Sequence, residues 1–146
     1  MRKTTFLLLV LFALPALAHS NKDSRCTTSD IAGVYGFKGE GFIVAEGVGF
    51  PVGPLTTVGT ITFNKDGTWR VKQDVSASGT LHRNVVFAGT YALNPDCTFS
   101  LFEPTVSNSA IDIGIFIADG KEFVLMPNLE GYAITFAGKR IFKARH

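Results

Sequence analysis

The stretch Thr57-Val58-Gly59-Thr60-Ile61-Thr62-Phe63-Asn64-Lys65-Asp66-Gly67-Thr68-Trp69-Arg70-Val71-Lys72-Gln73-Asp74-Val75 decides the fold. Ile61, Phe63, Trp69, Val71, Gln73 and Val75 share one parity, while Thr60, Thr62, Thr68, Arg70, Lys72 and Asp74 share the other. A period of two is the spacing at which successive side chains of a strand point to opposite faces, so one face is apolar and the other wet. Between the two halves, Asn64-Lys65-Asp66-Gly67 interrupts the alternation, and Gly67 can take the positive φ that a bulged turn needs. The segment therefore predicts an antiparallel hairpin.

The same grammar recurs on both sides. Val85 to Leu93 and Cys97 to Glu103 flank Asn94-Pro95-Asp96, where Pro95 presets φ and the two neighbours supply turn-forming side chains. Ile111 to Ala118 and Glu122 to Met126 flank Asp119-Gly120, a dipeptide suited to a two-residue turn. In that first strand Ile111, Ile113, Ile115 and Ile117 form one face. Asp112, Gly114, Phe116 and Ala118 form a mixed face, expected to be partly covered by a loop, a terminus or a neighbouring subunit. A last strand runs from Tyr132 to about Phe142, and a first one from Ile31 to Lys38. The glycine-rich segment Gly39 to Pro54 holds room for a short strand, Phe42 to Ala45, and then a loop. No window of a dozen residues in this part keeps a helical stripe free of glycine. The expectation is an all-β chain, a single antiparallel up-and-down β-barrel of about eight strands, because closure removes the adhesive edges that an open sheet would expose. A β-sandwich is the alternative.

Residues 1–18 read as a signal peptide: Arg2 and Lys3, the apolar run Phe6 to Leu14, then Pro15 and Ala16-Leu17-Ala18. The run gives way to polar residues too soon to span a bilayer, which takes about 20 apolar residues. Cleavage after Ala18 leaves residues 19–146 as one domain, exported to the periplasm or the medium. It also removes two of the 14 basic residues and none of the 12 acidic ones, so the mature chain is formally neutral. A neutral balance gives no general attraction to nucleic acid or anionic lipid. In an oxidising compartment Cys26 and Cys97, the only cysteines, are expected to form a disulfide. No metal site or cofactor is expected, since two cysteines alone make a poor zinc site and His19, His82 and His146 show no ligand spacing.

Recognisable catalytic patterns are missing. Ser76-Ala77-Ser78-Gly79 lacks the nucleophile elbow, and no helix follows Gly47-Val48-Gly49 to receive a phosphate. Glu40, Glu46, Asp74, Glu103 and Asp112 are candidate acid–base carboxylates, read as solvated surface charge. His82, in Leu81-His82-Arg83-Asn84, is read as an exposed turn residue, and Lys139, Arg140, Lys143 and Arg145 as the wet face and frayed end of the last strand.

The segment Phe87-Ala88-Gly89-Thr90-Tyr91-Ala92-Leu93-Asn94-Pro95-Asp96-Cys97-Thr98 resembles a group of exported bacterial proteins of unassigned function. Gly33-Val34-Tyr35-Gly36-Phe37, Gly59-Thr60-Ile61-Thr62-Phe63-Asn64 and Asp119-Gly120-Lys121-Glu122-Phe123 support it, while Phe99 stands where such proteins often place a glycine. The resemblance implies an allene oxide cyclase- or lipocalin-like (calycin-like) barrel and carries no catalytic residue across.

Three functions follow in order. The first is binding of a small apolar molecule in the barrel, lined by Phe63, Trp69, Val71, Phe87 and Tyr91, since eight strands enclose a space that side chains just fill or that holds one small ligand. The second is a non-enzymatic cell-envelope interaction or structural module, with homo-oligomers, motivated by apolar outer residues near Phe116 and Val86. An enzyme of allene oxide cyclase-like fold is third.

Overall fold

Alternation and turn chemistry close, in the computed structural model, into a barrel. The structure describes residues 26–47 and 49–143, so residues 1–18, expected to be a signal peptide, lie outside the described residues. A short helix, α1 (Thr28–Ile31), precedes β1 (Gly33–Ile43), β2 (Gly53–Phe63), β3 (Thr68–Ala77), β4 (Thr80–Leu93), β5 (Thr98–Phe102), β6 (Ala110–Ile117), β7 (Glu122–Pro127) and β8 (Tyr132–Lys143). Every strand pairs antiparallel with the next, and β8 returns to β1 to close an eight-stranded up-and-down barrel. The sandwich alternative is excluded by that last pairing, which runs from Gly33↔Lys143 to Ile43↔Tyr132.

Two turns of one construction set the lower rim. In the first, Asn64 Nδ2 donates to Thr68 Oγ1 at 2.9 Å, and Asp66 Oδ1 accepts from the Thr68 amide at 3.0 Å and its hydroxyl at 2.7 Å. Asn94, Asp96 and Thr98 repeat these three bonds at 2.9, 3.0 and 2.7 Å. Gly67 adopts φ 83° in the first turn, and Cys97 takes the same place at φ 69° in the second. A cysteine tolerates that left-handed conformation only at a cost. Here its sulfur is bonded to Cys26, and the Cys26 amide donates to Pro95 O at 3.0 Å.

The lower end is shut by α1 and a tyrosine–arginine clamp. Thr27 and Asp30 form a capping box, with Asp30 Oδ2 accepting from the Thr27 amide at 3.0 Å and its hydroxyl at 2.6 Å. Ile31, expected to begin a strand, instead ends this helical turn fully buried. The Tyr35 hydroxyl lies 2.7 Å from Ile31 O and near Gly120 O, and accepts from Arg140 Nε at 3.1 Å and Nη2 at 2.9 Å. The same guanidinium sits 5.3 Å from the centre of the Tyr35 ring and bonds the carbonyls of Asp30 and Gly120. Arg140 is thus no part of a solvated tail. A bulge between Val34 and Tyr35 shifts the β1–β8 register and sets Arg140 opposite Tyr35.

Side-chain parity follows the sequence in β2 and β3 but inverts in β6 from Asp112 onward, where a register shift against β5 leaves Ile111 alone of the isoleucine face buried. Phe116 is 2% exposed and lies inside, whereas Ile113, Ile115 and Ile117 are 40–42% exposed on the outer wall. Aromatic packing explains the inversion. The Phe116 ring joins Phe63, Phe99 and Phe123 at centroid distances of 5.1, 4.6 and 6.2 Å. Gly114 provides the room, because a Cβ there would stand 2.7 Å from the Phe99 ring. Three other expectations shift. The strand expected only to Lys38 continues to Ile43, and the turn expected at Leu81–Asn84 is Ser78-Gly79, so those four residues belong to β4. The Asp119-Gly120 turn widens to a four-residue connection, because Ile117 pairs with Glu122.

The disulfide joins α1's leading residues to the β4–β5 turn across 71 residues, with Cα atoms 5.0 Å apart, and accords with an oxidising compartment. Replacing both cysteines, Cys26→Ser with Cys97→Ser, is expected to cost about 4 kcal/mol by the chain-entropy estimate. A urea titration read by the midpoint checks this, and an unchanged midpoint would contradict it.

Candidate functional site

Above the aromatic cluster, bulky residues stop meeting across the barrel. Ile43, Leu55, Val75, Ala77 and Ile134 form a second apolar group towards the upper rim. Between the two lies a cavity of about 180 Å³. Its walls are mostly apolar: Ile61, Trp69, Val71, Phe87, Leu125 and Phe136, with Phe50, Val106 and Leu129 contributed by the upper loops. β5 is only five residues long against fourteen in β4, and β4 pairs with it from Thr90 onward alone. The connection after β5 lines the cavity through Glu103 and Val106.

Of the five residues expected to line a ligand site, Trp69, Val71 and Phe87 do border the cavity. Trp69 is anchored by its indole Nε1, which donates to Thr90 O at 2.9 Å. Phe63 and Tyr91 are not among its lining residues. Phe63 is fully buried in the ring cluster below, edge-on to Tyr91 at 5.4 Å, and the Tyr91 hydroxyl donates to Asn64 O at 2.6 Å. Burial, with a smaller contribution from the Asp66 charge, pushes the Tyr91 phenol up to about 12. The solid lower half absorbs these two because inward residues of β2, β4, β5, β6 and β7 all converge there.

Two carboxyls face the cavity, contrary to their reading as surface charge. Glu103 is 6% exposed and Asp112 also lines the space, whereas Glu40 and Glu46 are exposed. Asp74 is partly exposed, accepting the Asn84 amide at 2.8 Å beside Arg83. The Thr105 hydroxyl donates to Glu103 Oε1. Among the described residues no basic side chain pairs with Glu103 or Asp112. Burial alone pushes the Asp112 carboxyl from 3.8 up to about 7. The Tyr132 phenol on the same cavity is raised by burial and then by the Asp112 charge. Thr57 and Gln73 add a polar spot, the Thr57 hydroxyl lying 2.9 Å from both Gln73 Oε1 and Asp74 O.

Both acids were legible in part. Glu103 continues the inward parity of Phe99 and Leu101, while Asp112 shares that of Phe116 and was hidden by the inverted face. His82, expected to be exposed, is turned inward: it pairs with Val75, packs edge-on against Phe50 at 5.4 Å, and its Nε2 has no hydrogen-bond partner among the described residues. It does not border the cavity. Among the described residues no three His, Cys, Asp or Glu cluster as a metal site, and no helix is long and apolar enough to cross a membrane.

Comparison with known proteins finds no matching family model, no similar curated protein and no similar solved structure.

Asp112 makes stability depend on pH in a definite direction. Its folded value lies above its unfolded one, so between about pH 4 and 7 the native state holds the extra proton and stability falls as pH rises. A rise from 3.8 to about 7 corresponds to roughly 4 kcal/mol once both states are ionised. Asp112→Asn is accordingly expected to match the wild type near pH 4 and exceed it by up to that amount at pH 8.5. Urea unfolding of both proteins at the two pH values checks this; a constant difference would refute it.

Proposed function

We propose that this protein binds a small, largely apolar molecule inside its barrel. The single observation behind the reading is the cavity of about 180 Å³ beneath the upper loops. Interiors are normally packed to crystal density, and a void of this size forgoes dispersion contacts that a larger side chain would supply. An engineered apolar cavity of about 150 Å³ stays dry and takes up benzene, so the space suits a single ring or a short chain. Aromatic and aliphatic walls with a few polar groups are the usual composition of such sites. The strand count and closure give the barrel the shape of a calycin-like fold, which is an analogy of architecture. The disulfide supports a working place outside the cytoplasm, in the periplasm or the medium.

A second reading, a homo-oligomeric envelope module, draws support from the outer wall. Ile113, Ile115, Ile117, Val124 and Met126 form an outward apolar stripe over β6 and β7, 38–53% exposed. Sedimentation velocity over a hundredfold concentration range tests it, and a monomer throughout would remove it.

Trp69 is the only tryptophan and stands on the cavity wall, so its emission reports occupancy. Toluene is expected to shift that emission saturably. Val71→Phe, which fills the space, should weaken the response at least tenfold while leaving the circular dichroism of the barrel unchanged. A wild-type protein with no saturable response would rule out the binding reading.

A further inference from the structure

Burying a carboxyl costs free energy unless something compensates it, and apolar surroundings without a cation make the cost larger. Two such groups face this cavity. Glu103 is more than nine-tenths buried and held by a single side-chain bond from the Thr105 hydroxyl. Asp112 has no hydrogen-bond donor among the described residues, and the strand residue paired with it on β5 is Leu101, on β7 Pro127. Among the described residues no lysine, arginine or histidine borders the space. A purely structural lumen would be expected to place leucine or valine at both positions, which fit the parity and carry no desolvation cost. The remaining wall is aromatic and aliphatic, and rings such as Trp69 and Phe87 also favour a cation near their faces.

We propose that the cavity selects a small aromatic amine, its ring held between Trp69, Val71 and Phe87 and its ammonium by the carboxyls of Glu103 and Asp112. This rests on the reading of the cavity as a ligand site and names the class of ligand. The complementarity is one of charge and of size: about 180 Å³ accommodates one ring and a two-carbon tether. The amine brings the positive charge that the chain itself withholds, and charge-assisted hydrogen bonds are the stronger kind. Burial raises the Asp112 carboxyl when the site is vacant of cations, and an ammonium beside it favours the ionised form, so ligand binding reverses the cost. A neutral ligand of the same shape leaves both acids uncompensated. An acid of the same shape adds a third negative group.

Three probes of nearly equal shape separate these cases: 2-phenylethylamine, 2-phenylethanol and phenylacetate, titrated calorimetrically into the disulfide-bonded protein at pH 7.5. The expected order is amine at least tenfold tighter than alcohol, with phenylacetate weakest. In a Glu103→Gln, Asp112→Asn double variant the amine should bind no better than the alcohol. Equal affinity for amine and alcohol in the wild type would overturn the amine proposal while leaving the apolar binding site standing. Preference for phenylacetate would overturn it as well. Failure of all three probes to bind would remove both readings together. The wild-type series decides the matter even if the double variant does not fold.

Discussion

Closure is the constraint on which the rest of this structure depends. When β8 pairs with β1 over the length of both strands, every strand acquires two neighbours and the inward face of each becomes a wall of one shared lumen. The lumen of eight strands has a size fixed by strand number and tilt, not by the side chains that point into it. Those side chains must therefore fill a given volume or leave part of it open. Here they fill the lower half with rings and leave the upper half incompletely packed. The cavity is a consequence of closure as much as of composition.

The two halves divide labour. Below, α1, the Cys26–Cys97 bridge and the Tyr35–Arg140 clamp lock one rim, and the rings of Phe63, Phe99, Phe116 and Phe123 pack edge to face. Edge-to-face contacts of this kind add roughly 0.5–1.5 kcal/mol each beyond the area they bury. Such a base holds the strands that rise from it. Above it the wall can then carry a short β5, a bulge in β4, a buried carboxyl at Glu103 and a half-buried one at Asp112 without losing the fold. Local departures from good packing concentrate where function is expected to sit, and the rigid base offsets their cost.

Hairpins were readable because their signals are local. The pair of Asn-x-Asp-x-Thr turns, 64–68 and 94–98, carries its bonds within five residues, so the chemistry of the turn is written in order along the chain. The inward parity of Trp69 and Val71 follows from period-two alternation for the same reason. Where alternation was ambiguous the reading failed. In β6 both faces are apolar enough to be buried, and only the packing of Phe116 against the rings of Tyr35, Phe63, Phe99 and Phe123 decides which one is. Arg140 is comparable: nothing local distinguishes it from Lys139, and its partner Tyr35 lies 105 residues away.

Taken by itself, the sequence determined an all-β chain, the position of most turns, the pairing of its two cysteines and three cavity-lining residues. These depend on short-range periodicity, on turn chemistry and on there being only one way to pair two thiols. Closure, expected because an open sheet would expose its edges, is realised in the β8–β1 pairing, while tertiary structure alone decided that Asp112 faces the interior and that Phe63 and Tyr91 lie in the solid base. Each of those outcomes turns on which residues meet across the lumen, and that is set by register between strands distant in the chain, where a single-residue bulge changes the face a side chain takes.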